Sequence, residues 1–295
     1  KTDAERMASG KKKEILDTRF NAATADGEPL SMIPRSSDGQ LLFLLNNISK
    51  MKQDTPLGSR IVEVHNGSSL FTGDAGSGES NARRYMIEND LVEAIIALPE
   101  KMFYNTGIGT FIWVLSNRKE ERRKGKIQLI DATAIKTPLR KNMGEKNCEL
   151  SPAQRQEIVR IFMAFEESEV SRIFPNSEFG YWKVSVQQPL LDEQGNPALD
   201  KKGRIQPDKA KADTEIIPFR YEGGIEAFMD AEVRPYAPGA YIDPKATKIG
   251  YELSFTKYFY KPVQLRPMED IVADLKALEK ETDGMLAEIL GGIQG

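Results

Sequence analysis

Apolar positions are densest between Leu91 and Asn117, in LVEAIIALPEKMFYNTGIGTFIWVLSN. Two apolar runs, residues 91–98 and 110–115, flank a polar, glycine-bearing link at 99–109. Each run has strand length, carries β-branched residues and is apolar in both parities, which predicts an interior strand covered on both faces. The link is too short for the crossover helix that parallel neighbours need, so the pattern predicts an antiparallel pair. Phe103 and Tyr104 then fall at the edge of the sheet, where α/β folds hold their ligands.

The remaining pattern surrounds this pair. Residues 1–35 are polar and predict loop. Leu41, Leu44, Leu45, Ile48 and Met51 recur at helical spacing behind the N-cap oxygens of Ser36, Ser37 and Asp38, and Pro56-Leu57-Gly58 ends the helix. A β-branched strand at 60–64, a loop at 65–78, a helix at about 79–89 and the strand at 91–98 make a βαβ unit and imply a parallel sheet. The basic run at 118–126 is expected to be the exposed tip of a hairpin leading into a strand at 126–131. Ser151, Pro152 and Gln154 signal a capped helix start. Residues 179–189 alternate like a strand. Residues 192–213 lack large apolar side chains and predict a mobile excursion. The aromatics of 248–261, Tyr251, Phe255, Tyr258, Phe259 and Tyr260, read as strand-borne core. From Met268 onward, Met268, Ile271, Leu275, Leu278, Thr282, Met285 and Ile289 alternate spacings of three and four, a heptad seam that suits pairing with a helix of another chain. No internal repeat is apparent.

Composition narrows the function classes. The chain has 295 residues and a net charge of −3, with one cysteine, Cys148, and one histidine, His65. The cysteine count excludes a disulfide framework, leaves no cysteine-based metal site and favours a reducing cytoplasm. A single histidine makes a hydrolytic triad a thin hypothesis, and no G-x-S-x-G elbow is present. No apolar run reaches transmembrane length, and residues 1–16 lack the apolar core of a secretory signal. The overall charge shows no basic footprint for duplex DNA. Gly76 and Gly78 precede a helix, but no phosphate-loop or dinucleotide spacing follows, so a turn with a helix cap is the expected reading.

ALPEKMFYNTGIGTFIWVLSN resembles the segment of adenine N(6) DNA methyltransferases that carries the aromatic loop beside the target base. With RSSDGQLLFL, HNGSSLFTGDAGSGESNARRYMIEND, LIDAT, FGYWKVSVQQPL and IGYELSFTKYFYK, the chain resembles the modification subunit of type I restriction enzymes over nearly its whole length. Neither the glycine-rich S-adenosylmethionine loop of that family nor its Asn-Pro-Pro-Phe/Tyr motif is in this sequence. The resemblance therefore implies the C-terminal half of a Rossmann-like α/β methyltransferase sheet (residues 1–135), with the catalytic motif expected upstream of Lys1. It also implies a mixed α+β extension (136–265) and a coiled-coil-type C-terminal helix (266–295). It places Phe103 against the flipped adenine, with Tyr104, Asn105 and Thr106 lining the same loop. Ile271, Leu275, Leu278, Met285 and Ile289 would dock a partner. S-adenosylmethionine is the implied cofactor of the full-length subunit, and DNA, a specificity subunit and a restriction subunit are the implied partners. The competing reading is a non-catalytic assembly module that works through the final helix alone.

Overall fold

The computed structural model describes residues 17–24, 26–260 and 265–291, with 283–291 described as helix backbone only. Asn21–Ala23 (β1) and Pro29–Ser31 (β2) form a small antiparallel pair. The chain then runs through Gln40–Ile48 (α1), Arg60–Asn66 (β3), Ser68–Phe71 (α2), Gly78–Glu88 (α3), Val92–Ala97 (β4), Thr110–Ser116 (β5) and Lys126–Asp131 (β6). Thr137–Met143 (β7) and Lys146–Glu149 (β8) make a hairpin, followed by Pro152–Ala164 (α4), Ser171–Pro175 (β9) and Gly180–Gln187 (β10). Asp213–Pro218 (β11), Gly224–Phe228 (α5), Tyr241–Tyr251 (β12), Phe255–Phe259 (α6) and Met268–Gly291 (α7) complete it.

The main sheet has five strands in the order β3-β5-β4-β6-β9. β4 and β5 pair antiparallel, as the short link requires, with Ile95 opposite Trp113 and Ala97 opposite Phe111. β3 and β4 both run against β5. They are therefore parallel and joined by a crossover through α3, but β5 sits between them. That insertion was not foreseen, because strand order is decided by partners distant in sequence. β6 lies parallel to β4, and β9 closes that side antiparallel. All six residues of β4 are buried, which accounts for its apolar content in both parities.

One face of the sheet contributes Ala94, Ile96, Val114 and Ile130 to a core completed by Ile158 of α4. The other face presents Trp113, whose indole Nε1–H donates to Ser69 Oγ at 3.0 Å. α4 leaves β3 uncovered: Val62 and Val64, on its own side of the sheet, stay 63% and 51% exposed. A second sheet, β11-β10-β12, is antiparallel throughout and packs Val184, Val186 and Ile217 around Met229. The two sheets are tied together by Arg83 of α3, fully buried, which donates to the Tyr251 carbonyl at 2.6 Å and the Ser69 carbonyl at 3.1 Å. Burial pulls its guanidinium down to about 10, so it is still cationic at neutral pH.

Some expectations are corrected. The basic run at 118–126 is not a hairpin tip, because β5 and β6 are not neighbours; Lys119 and Arg123 are buried, while Arg118, Arg122, Lys124 and Lys126 are exposed. Residues 192–208 form consecutive hydrogen-bonded turns. The aromatic segment is strand only to Tyr251, after which Phe255–Phe259 is helical. Two compact units emerge, Lys1–Tyr258 and Phe259–Gly295, the second made of α7 and its approach. Among the described residues no helix is long and apolar enough to cross a membrane.

Candidate functional site

The carboxyl ends of β3 and β4 and the amino end of β5 meet at one edge of the main sheet, since both His65 and Ala97 lie opposite Phe111. In an α/β sheet this is the edge that holds ligands. Two structures stand there.

The first is a polar knot at the end of β3. Ser68 Oγ donates to Asp38 Oδ2 at 2.9 Å, and Gln40 Nε2 donates to the same oxygen at 3.0 Å. Gln40 Oε1 accepts from the Asn66 N–H at 3.0 Å, and Asn66 Oδ1 accepts from the Ser68 N–H at 3.1 Å. Burial pushes the Asp38 carboxyl up, but donation from Gln40 and Ser68 outweighs it and the net shift is downward. Gly39, rather than Ser36, Ser37 or Asp38, takes the N-cap of α1, with no side-chain cap bond; Asp38 Oδ1 instead accepts from the Gln40 N–H at 3.3 Å. The bonds from Ser68 to Asp38 and from Asn66 to Gln40 were not foreseen, because they join residues 30 and 26 apart.

The second is the link between β4 and β5. Phe103 and Thr106 form an isolated antiparallel bridge, which puts Tyr104 and Asn105 at the tip of a tight turn. The four residues predicted to line one loop are thus brought together, but they diverge. Tyr104 projects outward, 56% exposed. Phe103 is half-buried and lines an apolar concavity of about 480 Å³ with Val62, Val64, Ile112 and Val159. Asn105 is exposed and Thr106 half-buried. The turn is braced by the β7–β8 hairpin: the Glu145 N–H donates to the Tyr104 carbonyl and the Asn147 N–H to the Lys101 carbonyl, both at 3.0 Å. Cys148 Sγ donates to the Glu100 carbonyl at 3.3 Å. The Lys146 ammonium lies 5.2 Å from the centre of the Tyr104 ring. Gly144 is required for this approach, with φ of +62° and a Cβ position only 2.7 Å from the Tyr104 oxygen. The hairpin carried no sequence signal, since its role depends on backbone contacts.

Other candidates resolve as structure. His65 lies within β3, buried edge-on to Trp113, with Nε2 3.3 Å from Glu63. Gly78 is packed directly against the Ile33 backbone, so close approach explains it. The bonds of the polar knot are internal, whereas Ser77 Oγ in that loop is buried without a hydrogen-bond partner. The glycine-rich loop that holds S-adenosylmethionine in the methyltransferases that the sequence resembles is not in this sequence. A cavity of about 770 Å³ opens at the opposite end of β4 beside Asn89, Leu91 and Asn117. Its cations are spoken for: Lys119 pairs with Asp90, Lys124 with Glu121 and Arg19 with Asp17, while Arg118 donates to the Gln53 carbonyl. On α7, Ile271, Leu275 and Leu278 are 40%, 60% and 61% exposed; the side chains of Met285 and Ile289 lie outside the described residues.

Residues 9–184, more than half of the chain, match the N-6 DNA Methylase family. A type I restriction enzyme MjaVII methylase subunit of Methanocaldococcus jannaschii is 47% identical over 58 residues, 20% of this chain and 10% of that protein. The MjaIX methylase subunit of the same organism is 33% identical over 112 residues, 38% of this chain and 19% of that protein. The matched stretches thus span no more than a fifth of either relative. The type I restriction-modification system methyltransferase subunit from Streptococcus thermophilus shares 22% identity at a TM-score of 0.41, covering 48% of this chain and 28% of that one.

Proposed function

Because the chain belongs to the N-6 DNA methylase family, we propose that it is part of a type I restriction-modification methyltransferase subunit. That subunit transfers a methyl group from S-adenosylmethionine to the exocyclic amine of adenine in DNA. In this reading, residues 1–135 are the C-terminal half of the Rossmann-like catalytic sheet, 136–265 an extension, and 266–295 the helix that docks a specificity subunit. A restriction subunit joins the same complex, and the cofactor and amine-orienting motifs come from elsewhere in the subunit. β3 supports the half-sheet assignment: among the described residues it pairs on one side only and exposes Val62 and Val64, a strand edge and face suited to a further neighbour.

The observation that carries the reading is the braced aromatic turn at the carboxyl edge of β4. An enzyme acting on a base must swing it out of the duplex and hold it by stacking and edge hydrogen bonds. Phe103 is the proposed stacking platform, with Tyr104, Asn105 and Thr106 around it. Stacking on an aromatic contributes roughly 1–3 kcal/mol per base, which offsets part of the unstacking cost.

The test is methylation by the intact subunit carrying Phe103→Ala. Loss of stacking should lower kcat/KM by roughly 5- to 150-fold while assembly with partner subunits is unchanged. Phe103→Leu keeps the concavity filled without the ring and should show a similar loss. Full methylation by both variants would end the stacking assignment.

A further inference from the structure

In the run 118–126, Lys119 pairs with Asp90, Arg122 with Glu120 and the α4 carbonyls, Lys124 with Glu121, and Arg123 is buried, while Lys126 stays exposed. A different group of cations surrounds the braced turn. Lys101, Lys136, Arg140 and Lys141 are exposed. Among the described residues none of these four side chains has a carboxylate within ion-pair reach, and Lys146 stands over the Tyr104 ring. Between Lys136 and Glu149 there are four basic residues and two acidic ones, in a chain whose net charge is −3. β7 is exposed at every position except the half-buried Leu139. Its hydrogen bonds go to β8, and β8 is tied to the turn through Asn147 and Cys148.

A two-stranded ribbon rich in exposed, unpaired cations contributes little to its own stability. Like charges held close without counter-ions cost free energy, and an anionic partner relieves that cost. The position of the ribbon selects the partner. It is joined by hydrogen bonds to the turn proposed to hold a flipped base, so its cations move with that turn. Phosphate contacts fix the register of a protein on a duplex, whereas base contacts carry the specificity.

We propose that the β7–β8 hairpin grips DNA phosphates flanking the target base, chiefly through Arg140 and Lys141. The inference rests on the base-holding reading of residues 103–106 and adds the backbone contact that such a site needs. It also answers the absent global basic footprint: the charge is local, on one ribbon.

The test is anisotropy of a labelled duplex titrated with the 295-residue chain at several salt concentrations between 50 and 200 mM. Releasing counter-ions from each phosphate contact gives a slope of about −0.9 in log K against log salt. Arg140→Gln with Lys141→Gln should reduce the slope by about 2 and weaken binding at least tenfold at the lowest salt. Lys201→Gln with Lys202→Gln removes the same charge elsewhere and should leave the slope unchanged. Equal slopes in the two double variants, or no salt-dependent binding by the unmodified chain, would overturn the inference. Because the readout is binding, it is separable from methylation by Phe103 variants. A reduced slope together with a fully active Phe103→Ala subunit would retire the stacking platform and keep the hairpin.

Discussion

At the scale of single residues, the most consequential side chains are those whose partners lie far away in sequence. α4 ends at Phe165 in the left-handed region, with φ of +53°, and has no glycine to close it. Its last carbonyls are taken by side chains instead. Gln128 donates to Ile161, Arg123 to Phe162, and Arg122 to Met163 and Ala164. Arg123 also lies 4.3 Å from the centres of both the Phe162 and Phe165 rings. Arg123→Ala should therefore cost about 2–4 kcal/mol by leaving buried acceptors unpaired. Arg122→Ala, at an exposed site, should cost about 1 kcal/mol or less. Urea unfolding of both variants checks this, and equal small losses would mean that the run is only surface charge. Asp38 supplies a pH test. Its folded carboxyl titrates below the ordinary value, so its stabilisation is present above the unfolded aspartate range, near pH 4, and is lost as pH falls through the folded value. Wild type should exceed Asp38→Asn in unfolding free energy at pH 7, and the gap should shrink as pH falls below the unfolded aspartate range, near pH 4. A gap that does not change at all with falling pH would show that the carboxylate charge is not what stabilises the knot.

At the scale of elements, legibility followed the range of the interactions. The β4–β5 pair was readable because a short link and apolar positions in both parities leave one solution. α4 was readable from Ser151 and Gln154, which form the reciprocal capping box in the structure. The position of β5 between β3 and β4, and the hairpin that braces the turn, were not readable, because backbone pairing between distant segments leaves no periodicity. Residues 192–208 carry turn signals in their sequence, but how the turns are ordered is visible only in the structure. Leu191-Asp192 through Gly195 and Leu199-Asp200 through Gly203 are two copies of one turn. In each, the aspartate Oδ1 accepts two backbone N–H bonds, from Gln194 and Asn196 in the first and from Lys202 and Arg204 in the second. The glycines follow at φ of +82° and +74°. Asx-type bonding orders a polar segment without burying apolar surface. Asp200→Ala should speed tryptic cleavage at Lys201, Lys202 and Arg204 several-fold while moving the global unfolding free energy by less than about 0.5 kcal/mol. Unchanged cleavage would show that the turn holds without its aspartate.

At the scale of the whole molecule, the second unit asks what covers it. α7 spans 24 residues and leaves Met268, Leu275 and Leu278 more than half exposed. A single helix of this length gains little from propensity alone in water, and an apolar seam left in solvent forfeits the term that would stabilise it. The period of 3.5 is the one that keeps a seam facing a partner helix along its length. That period supports the proposed docking role. Leu275→Asp with Leu278→Asp places two charges in the seam and should abolish co-purification with a specificity subunit. The same pair should leave the unfolding midpoint of the 1–258 unit unchanged, since no residue of that unit is altered. Retained co-purification would refute the docking helix. Loss of binding with a lowered midpoint would refute it as well, because the seam would then be stabilising its own chain. Only the combination of lost binding and an unshifted midpoint assigns the heptads to another subunit.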